Sequence, residues 1–253
     1  MGIKKTISKF LRSRGYEIRK IGSEVQAYKD IQNPEFWEVY ELCKPFTMTS
    51  IDRMYGLYQA ICYVLDRGIP GDFVECGVWR GGSALMIAKI LEKRGIHDRK
   101  VILYDTFEGM PAPTADDKTF RGEAAAVLLE NEKDNKEESV WCLADIADVQ
   151  RNVGLAKLAD DQIVLIKGKV EDTIPSQVPF QQVALLRLDT DWYSSTKHEL
   201  IHLYPMLQSG GVLIIDDYGH WEGCRKAVDE YFSDFPHPIL WHRLDYTGRM
   251  AIK

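Results

Sequence analysis

The sequence predicts an α/β protein, a mostly parallel sheet wound on both faces by helices. Short, nearly continuous apolar runs alternate with amphipathic stretches from residue 72 onward. Strands buried on both faces read as unbroken apolar runs, and parallel neighbours need helical crossovers between them. The runs also end in Gly, Asp or Glu, and the carboxyl ends of parallel strands are where such sheets bind ligands. The chain of 253 residues is 45% hydrophobic and 28% charged, enough for one domain with a sizeable core.

The elements follow in order. Residues 1–70 read as a helical extension, from ISKFL, NPEFWEVYELC and SIDRMYGLYQAICYVLDRG. GDFVECG (71–77) is the first strand, and GGSALMIAKILEKRG (81–95) a helix with a glycine stop. KVILYD (100–105), IVLIKG (163–168) and VALLRLDTD (183–191) are further strands. SSTKHELIHLYPMLQSGG (194–211) reads as a helix stopped by Gly-Gly, GVLIIDD (211–217) as a strand and EGCRKAVDEYFSDF (222–235) as a helix. PILWHRLDYTGRMAIK (238–253) reads as a terminal hairpin turning at 245–248. Residues 106–145 fall outside the alternation, and an insertion of that length after a strand end is a candidate lid. The expected organisation is a single domain over 1–253: the extension, then a core over 71–253 that carries this lid.

Several function classes drop out. The net charge of −6 gives no footprint for nucleic acid. The five cysteines form no C-x-x-C pair, so neither a disulfide framework nor a structural zinc site is indicated, and a reducing cytoplasm is expected. No apolar run approaches the roughly 18 residues of a membrane span. Residues 1–20 carry seven Lys or Arg and one Glu, with Ile3, Ile7, Phe10 and Leu11 on one helical face. Such a helix docks on its own protein or lies on an anionic membrane surface, and MGIKKT fits the loose myristoylation pattern.

The loop VECGVWRGGSA carries chemistry. Gly77, Gly81 and Gly82 sit between a strand and a helix, where glycine lets a ligand approach the backbone and the helix start favours negative charge. The spacing differs from G-x-G-x-x-G and so disfavours a nicotinamide dinucleotide. Asp105 closes the next strand, where an acid takes ribose hydroxyls. Loop and acid together point to a nucleoside-containing cofactor, with Gly168 at the third strand end as a further contact.

Asp189 and Asp191 stand two apart, and on an extended chain both would point the same way. Asp216 and Asp217 end the following strand. If the strands are neighbours, four carboxylates converge, and anions so placed call for a cation. An all-oxygen set favours Mg²⁺, Mn²⁺ or Ca²⁺ over zinc. The rival reading is HELIH (198–202), a zinc-peptidase pattern. Its helix, however, runs straight into a parallel strand, Leu200, Ile201, Leu203, Met206 and Leu207 look like its core face, and Pro205 follows within a turn. It reads as a sheet-covering helix with two polar-side histidines.

DFVECGVWRGGSA, LYDTFEGMP, LRLDTDWYSST and GGVLIIDDYG, in this order, resemble the macrocin O-methyltransferase family, which includes sugar O-methyltransferases of macrolide and aminocoumarin antibiotic pathways. The resemblance covers about residues 46–253. It implies a Rossmann-like class I methyltransferase sheet of seven strands with the last antiparallel, S-adenosylmethionine as cofactor, a required Mg²⁺ and a homo-oligomer. It implies that Glu75, Gly77 and Ser83 line the methionine end, that Asp105 holds the ribose with Thr106 and Phe107 near the adenosine, and that Met48 and Thr49 close over the cofactor. Asp189, Asp216 and Asp217 are then the metal ligands. Asp191 matches the position proposed as general base in some members, while others place a histidine nearby.

Methyl transfer to oxygen is an in-line displacement at a sulfonium and needs an aligned oxygen nucleophile. A bound cation lowers the acceptor hydroxyl's pKa and a carboxylate takes its proton. Chelation favours an acceptor with vicinal hydroxyls, such as a sugar or glycosylated small molecule. A catechol-type diol would chelate as well, and a non-catalytic nucleoside-cofactor-binding protein is the remaining alternative. Four intact aspartates argue against the last.

Overall fold

The computed structural model describes residues 28–253 except 138, 234, 236 and 237. The basic segment 1–20 lies outside them. Phe36–Lys253 forms one compact unit, and the chain up to Glu35 belongs to another. Among the described residues no helix is long and apolar enough to cross a membrane.

Seven strands form one sheet in the order β3-β2-β1-β4-β5-β7-β6. They are β1 (Asp72–Cys76), β2 (Val101–Asp105), β3 (Ile163–Lys167), β4 (Val183–Leu188), β5 (Leu207–Ile215), β6 (His242–Arg243) and β7 (Arg249–Ile252). β1 to β5 run parallel, and β7 pairs antiparallel with β5 and β6. The order reverses between β1 and β4, so the crossovers that follow these two strands lead to opposite halves of the sheet and a crevice lies at the strands' carboxyl ends.

The helices are α1 (Pro34–Cys43), α2 (Ile51–Asp66), α3 (Gly82–Lys93), α4 (Ala125–Asn131), α5 (Ile146–Val153), the single turn α6 (Val170–Thr173), α7 (Tyr193–Leu203) and α8 (Glu222–Ser233). Ser50 caps α2 by accepting from the Arg53 amide, and Met54, Leu57, Ile61 and Val64 bury its inner face. Successive strand residues point to opposite faces. Val74, Cys76, Ile102, Tyr104, Leu186, Leu188, Leu213 and Ile215 share a core with Leu200 and Leu203 of α7 and Cys224 and Val228 of α8. The intervening positions face the layer of α2 and α3, and two of them are charged: Glu75 and Arg187, paired across β1 and β4.

Three expectations change. Residues 194–211 are not one helix: α7 stops at Leu203, a 3₁₀ turn Tyr204–Met206 follows, and β5 begins at Leu207 and runs through both glycines. Pro205 lacks an amide hydrogen and cannot continue the helix. Gly210, at φ 82°, then supplies the irregularity where the β4–β5 register shifts. Ile201, expected in the core, is 47% exposed. The 183–191 strand ends at Leu188, and the chain turns through Asp191 at φ 65°. The two aspartates therefore converge through a turn rather than by extended alternation. The described residues of 106–145 carry one short helix, α4, and an isolated bridge joins Thr119 to Trp221 in the loop after β5. The terminal hairpin forms as expected, its turn held by Asp245 Oδ1 accepting from the Thr247 and Gly248 amides at 2.9 and 2.7 Å.

Candidate active site

The carboxyl ends of the parallel strands surround a cavity of about 360 Å³, within the range of small-molecule sites. Met48, Thr49, Gly77, Ser83, Asp105, Thr106 and Gly168 line one part of it, and Asp189, Asp191, Asp216 and Asp217 another. Glu75, Gly81 and Phe107 do not line it. Glu75 lies fully buried beneath Ser83, whose hydroxyl donates to Glu75 Oε1. Gly81 caps α3 in the left-handed region, and Phe107 is 3% exposed.

Local geometry explains these placements. Gly77 has φ 81°, and a Cβ there would stand 1.9 Å from the Asp189 carbonyl oxygen, so the β1 and β4 loops pass backbone to backbone. Asp105 binds the same loop. Its Oδ2 accepts from the Val78 and Trp79 amides at 2.7 and 3.2 Å, and its Oδ1 from the Phe107 amide at 2.7 Å. Burial raises the Asp105 pKa, against these amides.

Strand pairing brings the four aspartates together, since Leu188 and Ile215 are register partners and the Asp216 amide donates to the Leu188 carbonyl. They do not form one equivalent set. Asp189, Asp191 and Asp217 offer carboxylate oxygens within 4.8 Å of one another. Asp216 instead pairs with Arg187 at 2.8 Å through Oδ1 and with Arg53 through Oδ2. Desolvation raises the pKa of Asp189 and Asp217, reinforced at Asp189 by the charges of Asp216 and Asp217 and at Asp217 by those of Asp191 and Asp216, and it pushes Asp191 up to about 7.

A divalent cation fits this trio. Asp217 Oδ2 is buried and has no hydrogen-bond partner, and a buried anionic oxygen is costly unless paired or coordinated. The donors are all oxygen, which suits a hard cation. Among the described residues, Glu75 Oε2 is the other buried side-chain oxygen without a partner, an acceptor left for a donor at the Ser83 end. Among the described residues, no second group of His, Cys, Asp or Glu brings ligand atoms together this way. In the HELIH segment His198 Nε2 lies 2.8 Å from the Ile174 carbonyl oxygen, and Glu199 is buried against Thr190.

Arg187 is the principal residue that the motifs did not reveal. It is 2% exposed. Its guanidinium reaches Glu75 Oε1 at 2.5 Å, Asp189 Oδ2 at 2.7 Å, Asp216 Oδ1 at 2.8 Å and Thr49 Oγ1 at 3.3 Å. Burial works against its charge, but Asp189, Asp216 and Glu75 hold it more firmly protonated than usual. One signal was available: a lone arginine in the otherwise apolar run VALLRL, because a buried charge requires partners. Arg53, bound to Asp216 and 3.1 Å from Asp245, is the second such residue.

Residues 41–248 match the family model described as macrocin O-methyltransferase. The chain is 34% identical to mycinamicin III 3''-O-methyltransferase of Micromonospora griseorubida, over 90% of this chain and 85% of that one. It is 37% identical to 8-demethyl-8-(2,3-dimethoxy-alpha-L-rhamnosyl)-tetracenomycin-C 4'-O-methyltransferase of Streptomyces olivaceus, over 80% and 73%. The solved O-methyltransferase NovP superposes with a TM-score of 0.71 at 31% identity, over 82% of each chain. A parallel sheet with an antiparallel end, a glycine turn after β1 and a carboxylate cluster beyond β4 and β5 thus stand together in a chain that belongs to the macrocin O-methyltransferase family and is an O-methyltransferase.

Proposed function

We propose that this O-methyltransferase moves a methyl group from S-adenosylmethionine to a hydroxyl of a sugar or glycosylated small molecule, with Mg²⁺ in the carboxylate cluster. The observation that carries the reading is the partnerless buried Asp217 Oδ2, standing with Asp189 and Asp191 in the wall of a ligand-sized cavity. The tetracenomycin relative named above is, by its name, a methyltransferase of a compound that carries a rhamnosyl group, which favours a sugar hydroxyl over a catechol.

Glu75 and Ser83 would hold the methionine end of the cofactor, with Gly77 letting the backbone close in. Asp105 and Thr106 would hold the nucleoside end, Gly168 leaves room beside them, and Met48 and Thr49 close the far wall. Asp189 and Asp217 would hold the ion. Asp216, whose Oδ2 pairs with Arg53, would be the third ligand, and Asp191 would be the carboxylate left to take the acceptor's proton. Bound in these places, the cofactor supplies the methyl group and the cation acidifies a chelated hydroxyl. The protein's own part is to align that oxygen and exclude water, with residues 106–145 as lid over a single methyltransferase domain.

Calorimetric titration with S-adenosylmethionine, then Mg²⁺, then Zn²⁺ tests this on the wild type and Asp217→Asn. Cofactor binding in both proteins, with Mg²⁺ binding lost only in the variant, is the expected result. Absence of cofactor binding, or a Mg²⁺ affinity unchanged by the substitution, overturns the reading.

A further inference from the structure

Three aromatic side chains from three separate segments meet at the mouth of the cavity. Phe120 comes from the 106–145 insertion, His220 from the loop after β5 and Tyr246 from the terminal hairpin turn. Their ring centroids are 5.8 Å (Phe120–His220), 6.1 Å (Phe120–Tyr246) and 6.0 Å (His220–Tyr246) apart. Phe120 and Tyr246 are 47% and 54% exposed, so the cluster is not core. His220 and Tyr246 line the same cavity as Asp189, Asp191 and Asp217.

The corner is held rigidly. The Phe120 amide donates to the His220 carbonyl at 2.8 Å, and the His220 amide to the Asp217 carbonyl at 3.0 Å. The Gly219 amide donates to the Thr247 carbonyl at 2.9 Å, and the Thr247 hydroxyl to the Asp216 carbonyl at 2.9 Å. Tyr246 Oη stands 3.2 Å from His220 Nδ1. Backbone hydrogen bonds thereby tie an exposed aromatic surface to the strand end that carries the carboxylates.

We infer that Phe120, His220 and Tyr246 form the acceptor subsite, which takes the C–H face of a saturated pyranose ring while a hydroxyl of that ring reaches the carboxylates. This rests on the methyltransferase reading above and names its acceptor class. The ring planes meet at 61° (Phe120–Tyr246), 63° (Phe120–His220) and 74° (His220–Tyr246). They make a concave corner rather than a parallel slot, which suits a puckered ring better than a flat catechol. The electron-rich aromatic faces complement the C–H bonds of a pyranose, polarised by its oxygens. His220 and Tyr246 line the cavity together with Asp217, and the His220 amide donates to the Asp217 carbonyl, so a ring whose hydroxyl stands beside Asp217 would lie over this corner.

Saturation-transfer NMR with methyl α-L-rhamnopyranoside, in the presence of S-adenosylhomocysteine and Mg²⁺, tests the inference, with catechol as the competing probe. Irradiation of protein aromatic protons should reach the pyranoside C–H protons in the wild type. In Phe120→Leu and Tyr246→Ala the transfer should fall by about fivefold, the size of one lost ring contact, while calorimetric affinity for S-adenosylhomocysteine stays unchanged. Phe120→Leu keeps an apolar side chain, so a loss there reports the aromatic face itself. No transfer to the pyranoside, transfer unaffected by both substitutions, or transfer to catechol alone overturns the inference. If the wild type does not bind S-adenosylhomocysteine, the methyltransferase reading fails, and this inference with it.

Discussion

Both carboxylate oxygens of Glu199 lie within hydrogen-bond distance of the Thr190 hydroxyl, at 3.0 and 3.2 Å. Glu199 is fully buried and is the glutamate of HELIH. Thr190 is the middle residue of the turn that presents Asp189 and Asp191. The residue after it holds φ 65°, a region that costs a non-glycine residue on the order of 1–2 kcal/mol and persists only where the surroundings impose it.

A double-mutant cycle follows from this pairing. Glu199→Ala should destabilise the fold by about 3 kcal/mol through a cavity and a lost polar partner. Thr190→Val should cost about 1 kcal/mol, and the double variant should fall short of the sum by about 1 kcal/mol. Denaturant unfolding measures all three. Glu199→Gln, which keeps a hydrogen-bonding partner for Thr190, should recover most of the loss; additive single effects would show that the contact carries no energy.

Arg187 balances Glu75, Asp189 and Asp216 at once. Removing the cation alone leaves the fully buried Glu75 without its charge partner and takes one from Asp189 and Asp216, so Arg187→Met should lose about 3–5 kcal/mol. Arg187→Lys keeps the charge but not the fork that reaches three partners, and should recover less than half of that loss. Thermal unfolding at neutral pH distinguishes these outcomes, and a stable Arg187→Met protein would show that the carboxylates take up protons instead.

Two glycines with similar backbone angles should respond differently. Gly68 has φ 62° and open space around its missing Cβ, whereas Gly77 has φ 81° and would clash with the Asp189 carbonyl. Gly68→Ala should cost about 1 kcal/mol, from backbone conformation alone. Gly77→Ala should cost at least about 3 kcal/mol, because the β1 and β4 loops must separate. Equal melting temperatures for the two variants would contradict the close approach.

Asp245 clasps the hairpin turn to α2, accepting from the Ser50 hydroxyl at 2.7 Å and from Arg53 Nε at 3.1 Å. Burial opposes its charge, but the Gly248 amide, Ser50, Arg53 and the Thr247 amide outweigh it and lower its pKa. A carboxylate whose folded-state pKa is depressed contributes stability above its unfolded value, near 3.9, and loses it as pH falls through the folded value. Asp245→Asn should therefore be less stable than the wild type by about 2 kcal/mol at pH 7. The gap should close progressively below about pH 4, as urea unfolding across pH would show. A gap that stays constant down to pH 2 would sink this account.

Much of the site was legible one residue at a time. Gly77, Asp105, Asp189 and Asp217 are polar or conformationally special residues at the ends of apolar runs, and local pattern alone marks such positions. Arg187 carried a weaker mark, a charge inside VALLRL, and what it meets could not be read from its neighbours. Glu75 is its register partner across two strands, and Asp216 lies on a third element. The helix drawn through 194–211 failed for a related reason: the apolar spacing of HELIHLYPML suits either a helix or a strand entry, and Pro205 with the pull of β4 decided the boundary.

The layered α/β architecture, the order of its elements and the residue types of the site follow from local pattern in the chain. Those depend on hydrophobic periodicity, on glycine and proline, and on where acids stand at strand ends, all local properties of the chain. Which carboxylates share a centre depends on long-range contacts instead. Asp189, Asp191 and Asp217 converge because a left-handed turn and a strand pairing bring them within 4.8 Å. Asp216, adjacent in sequence to Asp217, is drawn instead to Arg53 and Arg187. Adjacent residues at a strand end point to opposite sides, so each finds its partners in a different layer of the fold, and charges inside a protein settle where a counter-charge awaits them.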